Sequence, residues 1–208
     1  MRRLILKMSM STDGFVAGPT GEVDWIFKST DAVLTDWIVA TLQEAGLHIM
    51  GSRTFRDMAA YWPYSSEAFA PPMNDIPKVV FSRSGNLLRG GTTTALEDAS
   101  RARPVDKAVG DAKLASWTGA RVAKGELAQE IGRLKQQPGK DILAHGGVSF
   151  ARDLAAMNLV DEYRLVVHPV ALGKGLALFA GLPQPLHFKL VESASFPSGA
   201  TAQKYRPA

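Results

Sequence analysis

The stretch DILAHGGVSFARDLAAM, Asp141–Met157, runs from an apolar strand-like segment through two adjacent glycines into a segment of helical periodicity. One glycine is enough to turn a chain. A strand that passes through glycine into a helix N-terminus also presents unpaired backbone N–H groups and the positive end of the helix dipole, and both attract an anion. Glycine removes the Cβ that would otherwise hold a phosphate away from the backbone. Gly146, Gly147, Val148 and Ser149 are therefore a candidate seat for a pyrophosphate. The alternative for the same residues is a tight corner with no ligand.

Two further strand ends repeat the pattern. In IMGSRTF, Ile49–Phe55, a strand meets Gly51 and Ser52, and Arg53 and Thr54 fall in the first helical turn, where backbone donors, a hydroxyl and a guanidinium can meet a phosphate. In VVFSRS, Val79–Ser84, Ser82 and Arg83 lie just past a strand, a place where a 2′-phosphate can be clamped. Each site has a plain alternative, a capped helix or a solvent-facing arginine. One dinucleotide with an extra phosphate explains all three together.

Around these sites strands and helices alternate. Arg3–Met10 reads as a buried first strand rather than a signal peptide, followed by a loop with turn signals at Asp13-Gly14, Gly18-Pro19 and Gly21. Asp31 is placed as the N-cap of a helix reaching about Ala45, with Gly46 as its stop, and Ser52 as the N-cap of a second helix. Residues 63–77 read as loop, Lys78–Ser82 as strand, Glu126–Gln137 as an amphipathic helix and Asp161–Leu172 as strand. Residues 186–207 read as a closing hairpin around Pro197-Ser198-Gly199. The expected class is α/β with a mixed, mostly parallel sheet and an antiparallel edge. Residues 84–116, polar and rich in turn signals, are too long for an ordinary connection and are expected to be an insertion.

Composition narrows the partners. The 208 residues carry 24 Lys and Arg against 20 Asp and Glu, a net charge of +4, with the basic residues scattered rather than clustered. Scatter argues against a nucleic-acid binder and leaves an anionic small ligand. With no cysteine the chain has no disulfide, no thiolate nucleophile and no Cys-based metal site; this matches a cytoplasmic protein. No apolar run approaches the ~18 residues of a membrane span, so no membrane partner is expected. No metal site is expected.

LKMSMSTDGFVAG (Leu6–Gly18), IMGSRTF with MAAYW, KVVFSR, DILAHGGVSFARDL and LVDEYRLVVHPVALGKGLALF (Leu159–Phe179) together resemble the dihydrofolate reductase-like superfamily. Within it they are similar to the C-terminal reductase domain of bifunctional riboflavin-biosynthesis enzymes. The resemblance runs in order over about Leu4–Ser82 and Trp117–Tyr205. It implies a three-layer α/β/α dihydrofolate reductase-like fold over residues 1–208, NADPH as hydride donor, a heterocyclic small-molecule substrate, and a homodimer. By position it implies that Gly146–Ser149 wrap the pyrophosphate, with a cis Gly146–Gly147 bond. It implies too that Arg53 and Thr54 hold cofactor phosphate, Ser82 and Arg83 the 2′-phosphate, and Ala17 the nicotinamide region. No deaminase half accompanies the matched stretch, so a monofunctional reductase is expected and its substrate is open.

Hydride transfer to a C=N bond asks for orientation and a proton source at the nitrogen. A carboxylate in a dry pocket is one such source, because burial raises its pKa. Asp13, at the end of the first strand, and Asp36, on the first helix, are the candidates. The alternative for Asp13 is a turn former before Gly14, and Asp31 is expected only to cap. Trp25 can stack on a flat heterocycle or plug the core. In the riboflavin reductases a lysine at the position of Lys7 lies near the ligand, so Lys7 is a substrate-site candidate. His168 reads as a strand histidine rather than an acid. Failing a catalytic acid, the alternative function is a non-catalytic ligand-binding module on the same scaffold.

Overall fold

The computed structural model describes residues 1–82 and 111–208. Ten strands and six α-helices are present among the described residues. In chain order they are β1 (Leu4–Ser11), β2 (Phe15–Ala17), α1 (Ala32–Gln43), β3 (Ala45–Gly51), α2 (Ser52–Ala59), α3 (Ala70–Asp75), β4 (Lys78–Phe81), α4 (Asp111–Thr118), β5 (Arg121–Val122), α5 (Leu127–Gln136), β6 (Asp141–Ala144), α6 (Val148–Ala156), β7 (Glu162–His168), β8 (Leu176–Ala177), β9 (Phe188–Ser195) and β10 (Thr201–Pro207). Eight strands pair in the order β5-β4-β3-β6-β1-β7-β10-β9, and β2 and β8 form a separate ribbon. β1 runs parallel to β7, and β4 parallel to both β3 and β5, while β10 is antiparallel to β7 and β9. This is the mixed, mostly parallel sheet with flanking helices and an antiparallel edge that the sequence predicts. Contacts divide the chain into two compact units, one of residues 1, 3–37 and 144–208, the other of residue 2 and residues 38–143.

In the first unit β1 is covered on both faces, so Leu4, Ile5 and Leu6 form a continuous apolar run without alternation. Asp31 does cap α1: its Oδ1 accepts the Leu34 N–H at 2.8 Å, and its Oδ2 accepts the Ser198 N–H at 2.7 Å, tying the helix start to the β9–β10 turn. A charge cluster lies at Glu162. Its Oε1 accepts from Arg164 Nε at 2.9 Å, and its Oε2 from Arg3 Nη1 at 3.1 Å and Arg206 Nη2 at 3.2 Å. Arg164 and Glu162 are both buried, while Arg3 and Arg206 are about half exposed.

The second unit packs Leu47, Ile49, Met50, Phe55, Val79, Val80, Trp117, Ile131, Leu134, Ile142 and Leu143 in its core. Trp117 is fully buried, and its Nε1 donates to Asn74 Oδ1 at 2.8 Å. Lys78 Nζ donates to Ile76 O and Ser116 Oγ, both at 2.7 Å, and sits 4.1 Å over the Trp117 ring. Two hydrogen bonds and a ring face thus take up the ammonium of a buried lysine. Burial pushes Lys78 down to about 7, against the opposing charge of Asp75.

Three expectations are corrected. Gly46 does not stop α1; it lies inside β3, where a Cβ would come within 3.0 Å of Lys140 Cβ, so the glycine serves close approach. The N-cap of α2 is Gly51 and not Ser52, which is the first helical residue. Residues 63–77 are not all loop, because Ala70–Asp75 is helical. Of residues 84–116, those from Asp111 on belong to α4; 84–110 lie outside the described residues.

Candidate active site

The glycine turn lies in the first unit. Gly146 has φ +86°, and the Gly146–Gly147 peptide bond is cis. A Cβ on Gly146 would come within 3.2 Å of Met8 Sδ, so the backbone passes close to β1. Gly147 is the N-cap of α6 in extended conformation, and no side chain caps that helix. Its first helical bond is Ala151 N–H to Gly147 O at 2.9 Å. The N–H groups before Ala151 therefore have no intrahelical acceptor, as at any helix start. Ser149 is exposed beside them and Val148 half-buried. The residues present match a phosphate cradle: bare backbone donors, no Cβ at the turn and a hydroxyl alongside.

The second unit offers the other strand ends. Gly51, extended at φ −71°, leads into α2 without a side-chain cap. Arg53 is exposed and Thr54 half-buried in the first turn, where both can reach an anion. Ser82 follows β4 and is half-buried. Arg83 lies outside the described residues.

Ala17 ends β2 and is buried. β2 pairs with β8, Phe15 opposite Ala177 and Ala17 opposite Leu176, and Leu178 N–H donates to Gly14 O at 3.2 Å. At Gly175 a Cβ would lie 2.3 Å from Ala17 O, so only glycine lets the two segments meet.

Successive β1 residues point to opposite faces. Met8 lies against Gly146, and Lys7 lies on the face shared, in the parallel register, with Ser11 and its partner His168. Lys7 is half-buried and has no hydrogen-bond or ion-pair partner among the described residues. Burial pushes it down to about 8. His168 is fully buried at the end of β7, with Nδ1 2.8 Å from Ser29 Oγ and the ring edge-on to Trp25 at 5.6 Å. Burial first, then the charge of Lys7, push His168 down to about 4, so its ring is neutral at physiological pH. That agrees with a strand histidine that is not an acid.

Neither carboxylate candidate is a dry acid. Asp13 is exposed, and it accepts Ser11 Oγ–H at 2.5 Å, Gly173 N–H at 2.7 Å and Leu172 N–H at 3.2 Å. The Ser11 bond, then the Gly173 bond, hold its pKa below the ordinary carboxylate value, the opposite of what a proton donor needs. Asp13 clamps the loop before β8 onto the loop before β2. Asp36 is exposed on α1. Trp25 is buried and its Nε1 donates to Glu22 O at 3.2 Å. Sequence reasoning singled out the GKGLALF run, Gly173–Phe179, as lining the site, and it missed Ser29 and Arg152, which no local signal marks.

No helix among the described residues is long and apolar enough to cross a membrane, and no cluster of metal-ligating residues occurs among them. The family model described as the RibD C-terminal domain matches residues 2–202. An uncharacterised Bacillus subtilis protein, YyaP, is 29% identical over 209 residues, covering 98% of this chain and 94% of its own. The fold is similar to that of a Thermotoga maritima diaminohydroxyphosphoribosylaminopyrimidine deaminase/5-amino-6-(5-phosphoribosylamino)uracil reductase, with TM-score 0.68 and 18% identity over 100% of this chain and 57% of that one. It is also similar to an Enterococcus faecalis dihydrofolate reductase complexed with NADP(H), with TM-score 0.56 and 11% identity over 99% and 96% of the two chains. The expected dihydrofolate reductase-like α/β/α fold is the one observed.

Proposed function

The chain belongs to the RibD C-terminal domain family, and on that basis we propose that it is an NADPH-dependent reductase acting on a pyrimidine- or pteridine-like heterocycle. The observation that carries this reading is the Gly146–Gly147 turn, bare of Cβ and pressed against Met8, feeding a helix that no side chain caps. When bound, NADPH supplies the hydride. The backbone donors of Gly146–Ser149 hold pyrophosphate. Gly51, Arg53 and Thr54 hold phosphate at the α2 start, and Ser82 with Arg83 selects the 2′-phosphate. Ala17 would lie beside the nicotinamide end. Lys7 replaces the carboxylates as proton source: with a pKa of about 8 it is largely charged at neutral pH yet close enough to it to donate. Its ammonium, without a hydrogen-bond or ion-pair partner among the described residues, would orient the substrate and supply the proton to its ring nitrogen.

Incubation with NADPH and a panel of pterins and aminopyrimidines tests this, with oxidation followed by near-ultraviolet absorbance. We expect turnover that falls as pH rises through about 8, because Lys7 loses its proton there. Lys7→Met should lower the rate about 100-fold, the usual size of general-acid assistance, with NADPH affinity unchanged within about twofold. The second reading, a ligand-binding module without turnover, is favoured by the engaged Asp13 and exposed Asp36. NADPH binding without oxidation of any member of the panel would establish it instead.

A further inference from the structure

The two segments proposed to meet opposite ends of the dinucleotide are joined by one side chain. Arg152 lies on α6, four residues past its first residue, and its Nε donates to the backbone O of Ala177 at 2.8 Å. Ala177 is in β8, opposite Phe15 of β2, and its neighbour Leu176 is opposite Ala17. The ribbon is held to the loop before β2 at other points as well. Asp13 accepts from Gly173 N–H, Leu178 N–H reaches Gly14 O, and the Gly175 backbone abuts Ala17 O. The ribbon is thus a small rigid piece. Among the side-chain hydrogen bonds of α6, the Arg152 bond reaches this piece directly.

We infer that Arg152 is a positioning residue that fixes the spacing between the Gly146–Ser149 cradle and the Ala17 strand, so that seating the pyrophosphate also aims the nicotinamide. This rests on the NADPH reading above. The chemistry suits the task. The charge-assisted bond of a guanidinium to a carbonyl is stronger than a neutral one. The half-buried stem of Arg152 limits the competition from water.

The test compares two ligands that differ only in the nicotinamide: NADPH, and 2′-phospho-ADP-ribose, which keeps all the phosphates but lacks that ring. Both are titrated against the native chain, Arg152→Met and Arg152→Lys. Native protein should bind NADPH more tightly than the fragment. Arg152→Met should weaken NADPH about tenfold, the worth of one charge-assisted hydrogen bond, and shift the bound nicotinamide emission toward that of free NADPH. Its affinity for the fragment should stay within about twofold, because the cradle is untouched. Arg152→Lys, which offers one ammonium donor to the same carbonyl, should recover most of the loss. An unchanged ratio of the two affinities in Arg152→Met, or an equal fall in both, overturns the inference while leaving the NADPH reading standing. Failure of native protein to bind either ligand overturns the reading and the inference with it.

Discussion

Gly146→Ala is expected to weaken NADPH binding about 100-fold or more, the loss of two charge-assisted backbone bonds to phosphate at about 1.5 kcal/mol each. Two effects combine. Gly146 sits at φ +86°, where an L-residue with a side chain costs about 1–2 kcal/mol. Its new methyl would also meet Met8 Sδ at 3.2 Å. The methionine end can yield a little, so the fold should survive, but the turn must rotate to relieve the φ, and rotation re-aims the donors. Isothermal titration gives the affinity, and thermal unfolding of the same sample separates a displaced turn from a lost fold. An affinity within threefold of native would remove Gly146 from the cofactor site.

Glu162→Gln is expected to cost the largest share of stability, about 3–5 kcal/mol, because it breaks the buried ion pair that Glu162 makes with Arg164. Arg3 and Arg206 contribute little of this, since half-exposed pairs are worth about 0–1 kcal/mol. Denaturant midpoints of the native chain and the variant measure it. The pH dependence has a definite sign. Burial pushes the Glu162 carboxyl up, but the Arg164 hydrogen bond and charge, then Arg206 and Arg3, outweigh it and leave the pKa below the ordinary value. A depressed carboxylate stabilises the fold above its unfolded pKa, and that contribution disappears as pH falls through the folded value. Native protein should therefore lose its advantage over Glu162→Gln on acidification below the ordinary carboxylate range. A constant gap across that range would contradict the assignment.

The features the sequence revealed best were those whose signal is local. The strand–Gly-Gly–helix turn was legible because dense backbone chemistry and periodicity change within six residues, and β1 because Leu4-Ile5-Leu6 is apolar on both faces. Residues 70–75 were obscured because Pro71 and Pro72 read as helix breakers, whereas both fall in the first turn of α3, where a missing N–H costs nothing. The β2–β8 ribbon is only three and two residues long, too short for any period to show. Asp13 is an acid candidate in the sequence because of its place after β1, but its hydrogen bonds reach Leu172 and Gly173, some 160 residues away, which no local pattern could announce. The pairing of His168 with Ser29 across 139 positions, and of Arg152 with Ala177, are hidden for the same reason.

The central claim, that the chain holds a phosphorylated nicotinamide dinucleotide, is tested most directly by titrating the protein with NADPH and with NADH while following tryptophan fluorescence; its four tryptophans make quenching easy to read. Saturable quenching by NADPH, with NADH at least about tenfold weaker for want of the charge-assisted bonds of the 2′-phosphate, is the predicted result. Equal affinity for the two would keep the dinucleotide but remove Ser82 and Arg83 from their assigned role. No saturable quenching by either would contradict the claim and leave the glycine pair as a corner between β6 and α6.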